Sequence, residues 1–479
     1  MSLPVVSSPE PPLSAELPIA PGGTVRILDT AERGGPQLVE MDSAAAQVLN
    51  AQAGPIRAVS VVTYELPEPI ELTDPNTFPQ SSGPPLGTVL TPFFVECEDR
   101  DNGAPLAGVI VIATGGGKTD VTRTDASGRA SLSVAGLRVE QLKVKTDTTH
   151  WGAYRWNLPI VQNGVIKIRI DRVSLPFKDA VAHFYGASQF DPKAGVVVGV
   201  IDTGVGPHAD LNLLGGRNAS LVELPGQFDD WRGHGTHVAG LCGASPSPKG
   251  GVRGLAPGVA IRSYRVFPKG GGATNWAVMR AILFAEVDDC DILNLSLGLA
   301  AADPLVERAI RDARDRGILV IAAVGNHRRG PVTHPGACPD AIGVSALGVV
   351  GCFPPGSFCA GEEIRPPVGA NPDEFIAGFS NIGPEVAITA PGVGVISTLP
   401  NDRYGPYSGT SQATPVVTGA AACLLSRNPQ IYGMSRNRAR SDALERLLKG
   451  ACIRRGFGPN FEGHGLPDPA VIGTWPVTS

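Results

Sequence analysis

One stretch constrains the fold more than any other: residues 405–426, which read GPYSGTSQATPVVTGAAACLLS. Its second half is a run of small and apolar residues, long enough for a helix that is buried on all sides. Its first half is a glycine-punctuated turn, and Ser411 lies at the junction, four residues before Pro415. Because proline is tolerated in the first turn of a helix, the pattern predicts that Ser411 lies at the helix N-terminus.

A serine at that position has two interpretations. It can cap the helix, which is the commonest role of serine at such a junction. It can instead be a nucleophile whose developing oxyanion is stabilised by the free N–H groups and the partial positive charge of the helix end. The stretch alone favours the cap, so the choice depends on the rest of the chain.

Two further stretches contain the groups that a nucleophilic serine requires. Residues 194–204, AGVVVGVIDTG, predict a buried strand that ends in Asp202, and residues 232–240, RGHGTHVAG, predict a glycine turn that leads His234 into a packed helix. An imidazole can accept the serine proton, and a carboxylate can hold the imidazole in the required tautomer. Taken singly, the aspartate is equally consistent with a turn cap and the histidine with a core residue.

The order Asp202, His234, Ser411 in these three contexts closely resembles the subtilisin-like serine proteases, and residues 177–473 follow that family's pattern. The resemblance implies a serine endopeptidase that hydrolyses peptide bonds through an Asp–His–Ser triad and an acyl-enzyme intermediate. In the family's His-Gly-Thr-His pattern the first histidine is catalytic, so His237 is predicted to be structural.

The same resemblance assigns the oxyanion donor and the substrate cleft. The segment AAVGN, which ends at Asn326, resembles the family segment whose asparagine amide contacts the oxyanion. Substrates of this family bind partly by strand addition to exposed edges of the protein. The residues predicted to line these edges are Ser296, Leu297, Gly298, Gly270, Gly271 and Gly272.

No cofactor is required by this chemistry, and no metal ligand is assigned. Many relatives bind calcium, and Asp210 is a candidate ligand, but residues 244–251 lack the Asn and Asp oxygens that a full site needs. Calcium therefore stays a second option. Cys352 and Cys359 flank a Pro/Gly loop and are either paired or free; the absence of nearby ligands argues against a metal site there.

Composition limits the partners. A net charge of −5 without a basic stripe argues against nucleic acid as the main partner, and no segment resembles a membrane span. The N-terminal residues resemble no secretory signal, and eight cysteines are too few for a disulfide scaffold. We therefore expect reduced thiols, a cytoplasmic location and a polypeptide substrate; the oligomeric state is left open.

The expected fold class is α/β, with a subtilisin-like parallel sheet flanked by helices and preceded by two small modules. The predicted order is a Pro-rich disordered arm (1–21), a prodomain-like α+β unit (22–66), a linker (67–88), a β-sandwich (89–172) and the catalytic domain (173–479). We expect residues 1–172 either to inhibit or chaperone the enzyme and be cut near 171–190, or to remain attached as a recognition module.

Some positions depart from the family pattern. Gln412 replaces the usual methionine after the nucleophile, and the segment 348–377 is longer than usual. Arg328 and Arg329 follow the oxyanion segment; they favour acidic substrates or are simply solvated, as most charged residues are. Two alternatives to a general endopeptidase stay open: a maturation protease or transpeptidase for one partner, and a silent pseudo-protease that only binds peptides.

Overall fold

The computed structural model describes residues 16–19, 23–31, 36–41, 43–51, 58–64, 89–146, 149–186, 188, 190, 192, 195–247 and 250–474. Backbone contacts divide the chain into two units, residues 1–62 and residues 63–479. The first unit contains a three-stranded antiparallel sheet in the order β1-β2-β3 and one helix. Its elements are β1 (Glu16–Ile19), β2 (Gly23–Thr30), β3 (Gln37–Glu40) and α1 (Ser43–Ala51).

The prediction of a disordered arm over residues 1–21 is wrong for β1. Pro18 lies in this strand, opposite Thr24 of β2. Because β1 is at the edge of its sheet, a proline there removes no hydrogen bond from a second neighbour. Residues 1–15 of the predicted arm lie outside the described residues. Within the predicted α+β unit, the run RAVSVVTYE at 57–65 predicts a strand. Its described residues 58–64 contain only β4 (Thr63–Tyr64), which belongs to the second unit.

The second unit begins with two sheets that share one buried apolar cluster. One has the strand order β10-β9-β6-β7 and the other the order β11-β5-β8. Strand β5 alternates buried and partly exposed residues, as expected for a strand with one face toward a core. The strands are β5 (Leu90–Asp99), β6 (Ile110–Gly115), β7 (Lys118–Arg123), β8 (Arg129–Ala135), β9 (Arg138–Lys145), β10 (Ala153–Pro159) and β11 (Val165–Ile170).

Short alternating runs in the sequence, at 91–96, 108–113, 129–134, 141–145 and 164–170, predict five of these seven strands but not β7 and β10. Strand β7 reads KTDVTR, with a single large apolar residue, so it carries no alternating pattern. The glycine-rich stretch at 115–117 is the hairpin turn between β6 and β7, where Gly116 and Gly117 have positive φ angles of 56° and 77°. The stretch GGGKT at 115–119 has a superficial likeness to a phosphate loop but lacks the earlier glycine and the following helix, which predicts a hairpin tip, and the structure confirms this prediction.

The rest of the second unit is built on an eight-stranded sheet with the order β13-β14-β12-β16-β17-β18-β19, in which β20 also pairs with β18. All these pairs are parallel except β18 with β19. The remaining strands are β12 (Val197–Asp202), β13 (Leu213–Asn218), β14 (Ala260–Arg265), β15 (Ala273–Thr274), β16 (Ile292–Leu295), β17 (Leu319–Ala323), β18 (Ile342–Val349), β19 (Glu374–Ile376), β20 (Val386–Pro391), β21 (Val395–Leu399), β22 (Arg403–Tyr407), β23 (Cys452–Ile453) and β24 (Leu466–Pro467).

Helices flank this sheet, which is the α/β architecture expected from the sequence. They are α2 (Ala180–Tyr185), α3 (His234–Gly243), α4 (Asn275–Val287), α5 (Pro304–Asp315), α6 (Thr410–Arg427), α7 (Pro429–Tyr432), α8 (Arg438–Gly450), α9 (Pro459–Glu462) and α10 (Pro469–Thr474), with a 3-10 turn at Phe358–Glu362. In the part of the chain that the structure describes, no helix has both the length and the apolar character needed to cross a bilayer.

Helix α6 is the centre of the core. Its residues from Thr410 to Leu425 are all buried, and it packs on α3, β16, β17, β18 and β20. Small residues are required because the neighbours approach closely: a Cβ atom on Gly419 would lie 2.7 Å from the carbonyl oxygen of Cys242 in α3. The run of small residues therefore allows close helix packing, and the prediction of a helix that is buried on all sides is confirmed.

Helix α5 follows its sequence signals. Asp303 is the N-cap, and its side chain accepts hydrogen bonds from the backbone N–H groups of Leu305 (3.1 Å) and Val306 (3.3 Å). Pro304 is the first helical residue, and Gly317 has a φ angle of 78° just beyond the helix end. A proline at the start and a glycine after the end are the preferred arrangement for both residues.

Candidate active site

The site begins at the carboxyl end of strand β12, the edge of a parallel sheet where loops gather. Asp202 is the last residue of β12 and His234 is the first residue of α3. The Nδ1 atom of His234 lies 2.8 Å and 2.9 Å from the two carboxylate oxygens of Asp202, and both side chains are fully buried. This contact places the Nδ1–H on the carboxylate and leaves Nε2 as the basic nitrogen.

Asp230 fixes the turn that presents His234. One oxygen of its carboxylate accepts hydrogen bonds from the N–H groups of Arg232 and Gly233, at 2.9 Å and 2.8 Å. The other accepts from the N–H group and the hydroxyl of Thr236, at 2.9 Å and 2.6 Å. Sequence analysis missed this residue, although an aspartate just before a glycine turn is a known turn signal.

Ser411 is the second residue of α6, and Gly409 occupies the N-cap position. The interpretation of Ser411 as a helix cap is therefore wrong. Its hydroxyl donates to the carbonyl oxygen of Ser296 at 3.3 Å, while the Ser296 hydroxyl donates to the carbonyl oxygen of Ser411 at 2.9 Å. The Nε2 atom of His234 is buried and has no hydrogen-bond partner. The structure thus joins Asp202 to His234 and shows no hydrogen bond between His234 and Ser411.

The turn before Ser411 is tied to the helix that carries His234. His237, one turn further along α3, contacts the carbonyl oxygen of Gly405 through Nε2 at 3.0 Å, and its ring stacks on Tyr407 with centroids 4.4 Å apart. Burial, together with the neighbouring His234, lowers the pKa of His237 to about 3. His237 is therefore a neutral core residue that holds the two helix ends together, in agreement with its predicted structural role.

Asn326 follows strand β17 and reaches the start of α6. Its Oδ1 atom accepts hydrogen bonds from the N–H group and the hydroxyl of Thr410, at 2.9 Å and 2.8 Å. Since the backbone N–H of Thr410 can only donate, this contact fixes the orientation of the amide. The Nδ2 group is buried without a partner, and it approaches Gly409. An N–H donor is thus held next to the residue that precedes the helix of Ser411.

Buried polar atoms without partners are rare in proteins, and each one calls for an explanation. His234 Nε2 and Asn326 Nδ2 are both of this kind. Each of these side chains is oriented by a hydrogen bond through its other polar atom. Gln412 adds a third case, because neither atom of its buried amide has a partner in the described residues. Acyl transfer at a serine requires a base and an oxyanion donor of this kind.

The predicted substrate edges differ in what they contact. Ser296 touches Ser411 directly, Leu297 is buried, and Gly298 packs against Thr333. Residues 270–272 form the turn before β15.

Strand β15 is already paired within this chain, with β4. The register is antiparallel, with Ala273 opposite Tyr64 and Thr274 opposite Thr63. Tyr64 is fully buried, and its hydroxyl donates to the Asp303 carboxylate at 3.3 Å. Residues 63–64 therefore occupy this edge in the manner of an added strand.

The described residues do not fit a complete calcium site at Asp210. Its carboxylate already accepts hydrogen bonds from the N–H groups of Ser247 (3.0 Å) and Val252 (3.2 Å) and from the hydroxyl of Tyr404 (2.9 Å). Among the residues with described positions, no group of three or more His, Cys, Asp or Glu side chains is placed to hold a metal ion. Cys352 and Cys359 are both buried, and no disulfide joins them in the described residues.

A buried carboxylate–imidazole pair, a serine at a helix N-terminus and an unpaired amide donor are the groups that a serine hydrolase uses. The comparison with known proteins narrows this class. The subtilase family model matches residues 193–456, more than half of the chain. The chain therefore belongs to the subtilase family and is a serine endopeptidase.

Individual relatives agree with this assignment. Subtilisin Savinase of Lederbergia lenta is 34% identical over 260 residues, which is 54% of this chain and 84% of the relative. Subtilisin DY of Bacillus licheniformis is 35% identical over 256 residues, which is 52% of this chain and 84% of the relative. For the alkaline protease of Alkalihalobacillus alcalophilus, identity is 34% and the matched region spans 60% of its length.

Proposed function

We propose that Ser411 is the nucleophile of this endopeptidase, that His234 is its general base and acid, that Asp202 orients His234, and that Asn326 donates to the oxyanion. The observation that carries the proposal is the pair of buried, unpartnered nitrogen atoms, His234 Nε2 and Asn326 Nδ2, of which the second belongs to a side chain bonded to Thr410, the residue before Ser411. Each is oriented by a hydrogen bond on its opposite side, so neither needs to reorganise during the reaction.

The first half-reaction forms an acyl-enzyme. The Ser411 hydroxyl leaves the Ser296 carbonyl oxygen by rotation about its Cα–Cβ bond and turns toward His234, a change between ordinary rotamers. Its oxygen then attacks the scissile carbonyl carbon while its proton passes to Nε2 of His234. The Asp202 carboxylate stabilises the imidazolium that forms.

The carbonyl oxygen becomes negative during this attack. Asn326 Nδ2 and the free backbone N–H of Ser411 at the start of α6 are the available donors for it. One such donor typically contributes about 2.7–4 kcal/mol to transition-state stabilisation. The intermediate collapses when His234 returns its proton to the leaving amine, and water then repeats the sequence in place of Ser411 to release the acid.

A fluorophosphonate probe tests the assignment of the nucleophile, because it bonds only to an activated serine. We expect labelling of the wild type and of Ser435→Ala, which changes an exposed serine, and no labelling of Ser411→Ala. Peptide hydrolysis by Ser411→Ala should fall by about 10⁴-fold or more, since the acyl-enzyme no longer forms. Undiminished labelling of Ser411→Ala would refute the assignment.

We further propose that the N-terminal residues up to Tyr64 inhibit the enzyme before maturation. The support is local: β4 pairs with β15 beside the predicted Gly270–Gly272 edge, and Tyr64 is buried against Asp303. A strand that pairs with this edge competes with a substrate strand for the same backbone groups. The predicted cut near 171–190 is one way to release it, and a cut within 65–88 is the other.

Expression of the wild type and of Ser411→Ala distinguishes these routes. Self-cleavage gives a shortened wild type and an intact variant, and mass spectrometry of the new N-terminus locates the cut. A terminus within 65–88 leaves the two-sheet unit (89–172) covalently attached to the mature enzyme. A terminus within 171–190 means that the two-sheet unit and the catalytic domain are separate polypeptides. Intact wild type would rule out self-cleavage.

A further inference from the structure

A pocket of about 680 Å³ lies between the two-sheet unit and the long segment 348–377. Strands β9 and β10 form one wall, and the 3-10 turn at Phe358–Glu362 forms another. Its volume is in the range of ligand sites rather than of packing defects. We call it the basic pocket; the lining residues used below are Lys143, Lys145, Tyr154, Trp156, Arg328 and Glu362.

The walls of the basic pocket are held together by backbone contacts. Tyr154 N–H donates to the Gly356 carbonyl oxygen at 2.8 Å, and Phe358 N–H donates to the Gly152 carbonyl oxygen at 3.2 Å. The Arg155 guanidinium donates to the same Gly356 carbonyl oxygen at 2.6 Å. The two-sheet unit is thus bonded along β10 to the segment that faces it, so the pocket has a fixed shape rather than being a gap between loosely packed surfaces.

Among the described residues that line this pocket, the cations outnumber the acids by three to two. Lys143, Lys145 and Arg328 line it, opposed by Glu362, while the second acid, Glu363, lies 3.0 Å from Arg365 in an ion pair of its own. Burial lowers the pKa of Lys143, and Arg328 lowers it further. Cations that are partly removed from water and repel one another are stabilised by a bound anion.

Glu362 offers a second recognition element. Its side chain is 5% exposed, and its Oε2 atom has no hydrogen-bond partner. Burial raises the pKa of Glu362, whereas Arg328, the Phe379 N–H group and Lys143 lower it. A ligand that brings an N–H donor for Oε2 together with a carboxylate for the cations satisfies both sides, and a peptide with acidic side chains carries both groups. The exposed Trp156 and the ring of Tyr154 add surfaces for its apolar parts.

The basic pocket adjoins the active site. Arg328 is two residues beyond Asn326, so their Cα atoms are at most about 7 Å apart. Its N–H donates to the Phe379 carbonyl oxygen at 2.9 Å, which anchors the end of the oxyanion segment to the residues next to the pocket. One extended polypeptide, at about 3.3 Å per residue, can reach from the scissile bond to the pocket within a few residues.

We propose that the basic pocket binds an acidic segment of the polypeptide substrate, away from the residues that flank the scissile bond. The proposal rests on the function proposed for Ser411 and its partners, and it makes the two-sheet unit part of substrate selection. The sequence pattern predicts neither β10 nor this pocket. A preference for acidic substrates is one of the two interpretations of Arg328 and Arg329 given by the sequence.

The test compares peptides that share one scissile sequence. One is a short chromogenic peptide, and the longer ones carry three glutamates or three glutamines, placed on either side of the cleaved bond about five residues away. Wild type, Lys143→Gln, Lys143→Glu and Lys167→Gln are assayed for kcat/KM. Lys167 is the matched control, because it lies on β11 in the other sheet and its side chain is 67% exposed.

We expect wild type and Lys167→Gln to cleave one glutamate peptide about tenfold faster in kcat/KM than its glutamine counterpart, the effect of one charge-assisted contact. The ratio should fall to about threefold or less in Lys143→Gln and to about one in Lys143→Glu, mainly through KM. Equal kcat/KM for glutamate and glutamine peptides on both sides would overturn the proposal, and so would a ratio that survives Lys143→Glu.

The short peptide separates the two levels of the argument. If wild type neither cleaves it nor takes up the fluorophosphonate label, the function proposed for Ser411 fails. If wild type and Lys143→Glu cleave it equally while the glutamate preference is absent, only the pocket proposal fails. Equal cleavage also shows that the variant has folded, so a lost preference in Lys143→Glu then reports on the pocket itself.

Discussion

The active site and the basic pocket both contain a buried carboxylate, but the two carboxylates differ in their hydrogen-bond partners. Both oxygens of Asp202 contact the single Nδ1 atom of His234, and neither side chain is exposed. Glu362 keeps one oxygen without a partner, and the cations around it come from segments far apart in the sequence. The first arrangement fixes one geometry, whereas the second combines an unpartnered acceptor with more cations than acids among its described lining residues.

This difference separates chemistry from recognition. Acyl transfer needs donors and acceptors that are already oriented, so its groups are locked by neighbours such as Asp230 and Thr410. Recognition of a charged segment needs accessible charges of one sign, which the opposite charges of a bound ligand neutralise. We expect changes in the active site to act on kcat and changes in the basic pocket to act on KM.

The largest effect should come from a substitution in the active site, whose groups are held in one orientation. Asn326→Ala removes the Nδ2 donor, and we expect kcat to fall by about 10²–10³-fold with little change in KM, because the donor acts on the transition state. Steady-state kinetics on the short peptide measures this. A thermal unfolding scan is the control, since the variant also loses the Thr410 contacts. A rise in KM with unchanged kcat would contradict the oxyanion role.

A second effect concerns the core histidine of the same site. Burial holds the pKa of His237 near 3, against about 6.5 in the unfolded chain, so between these values the unfolded chain binds one more proton than the native protein. Stability that is present above pH 6.5 is therefore lost as the pH falls toward 3, at up to about 1.4 kcal/mol per pH unit.

We expect His237→Gln to flatten this pH dependence by about one proton. Urea unfolding between pH 4 and 7 in the Ser411→Ala background measures the slope without self-digestion. The same substitution at the exposed His183 is the control and should leave the slope as in the parent. An equal slope in parent and His237→Gln would show that His237 is not held neutral in the fold.

The smallest expected effect concerns the salt dependence of binding at the basic pocket. Raising the salt concentration from about 0.1 M to 1 M shortens the screening length from about 10 Å to 3 Å. The preference for glutamate peptides should then fall to within about twofold, while kcat/KM on the short peptide stays nearly constant, because its reacting groups are shielded from solvent. Parallel assays on both peptides across the salt range check this. A salt-independent preference would point to contacts other than charge.

Local patterns in the sequence predicted the elements of the catalytic core. The β12 stretch ends at Asp202, the glycine turn leads to His234 at the first residue of α3, and Ser411 lies at the start of α6. Each signal is contained within about ten residues, where backbone preferences and apolar runs act directly. The resemblance of these motifs to one family then indicated that they meet.

Tertiary contacts decided what no local pattern encodes. The basic pocket combines β9, β10, Arg328 and the turn near Glu362, which are separated by up to about two hundred residues. Strand β10 has no alternating pattern, and Asp230 is an ordinary turn residue until its contacts with Thr236 are seen.

By itself, the sequence determined the class of fold and pointed to the residues that we propose for acyl transfer, because these depend on short stretches with strong conformational and chemical signatures. Only the tertiary structure decided which polar atoms are left without partners, that β4 lies on β15, and where charge accumulates beside the active site. Those properties depend on the solvent exposure and spacing of groups from distant segments, and folding alone brings such groups together.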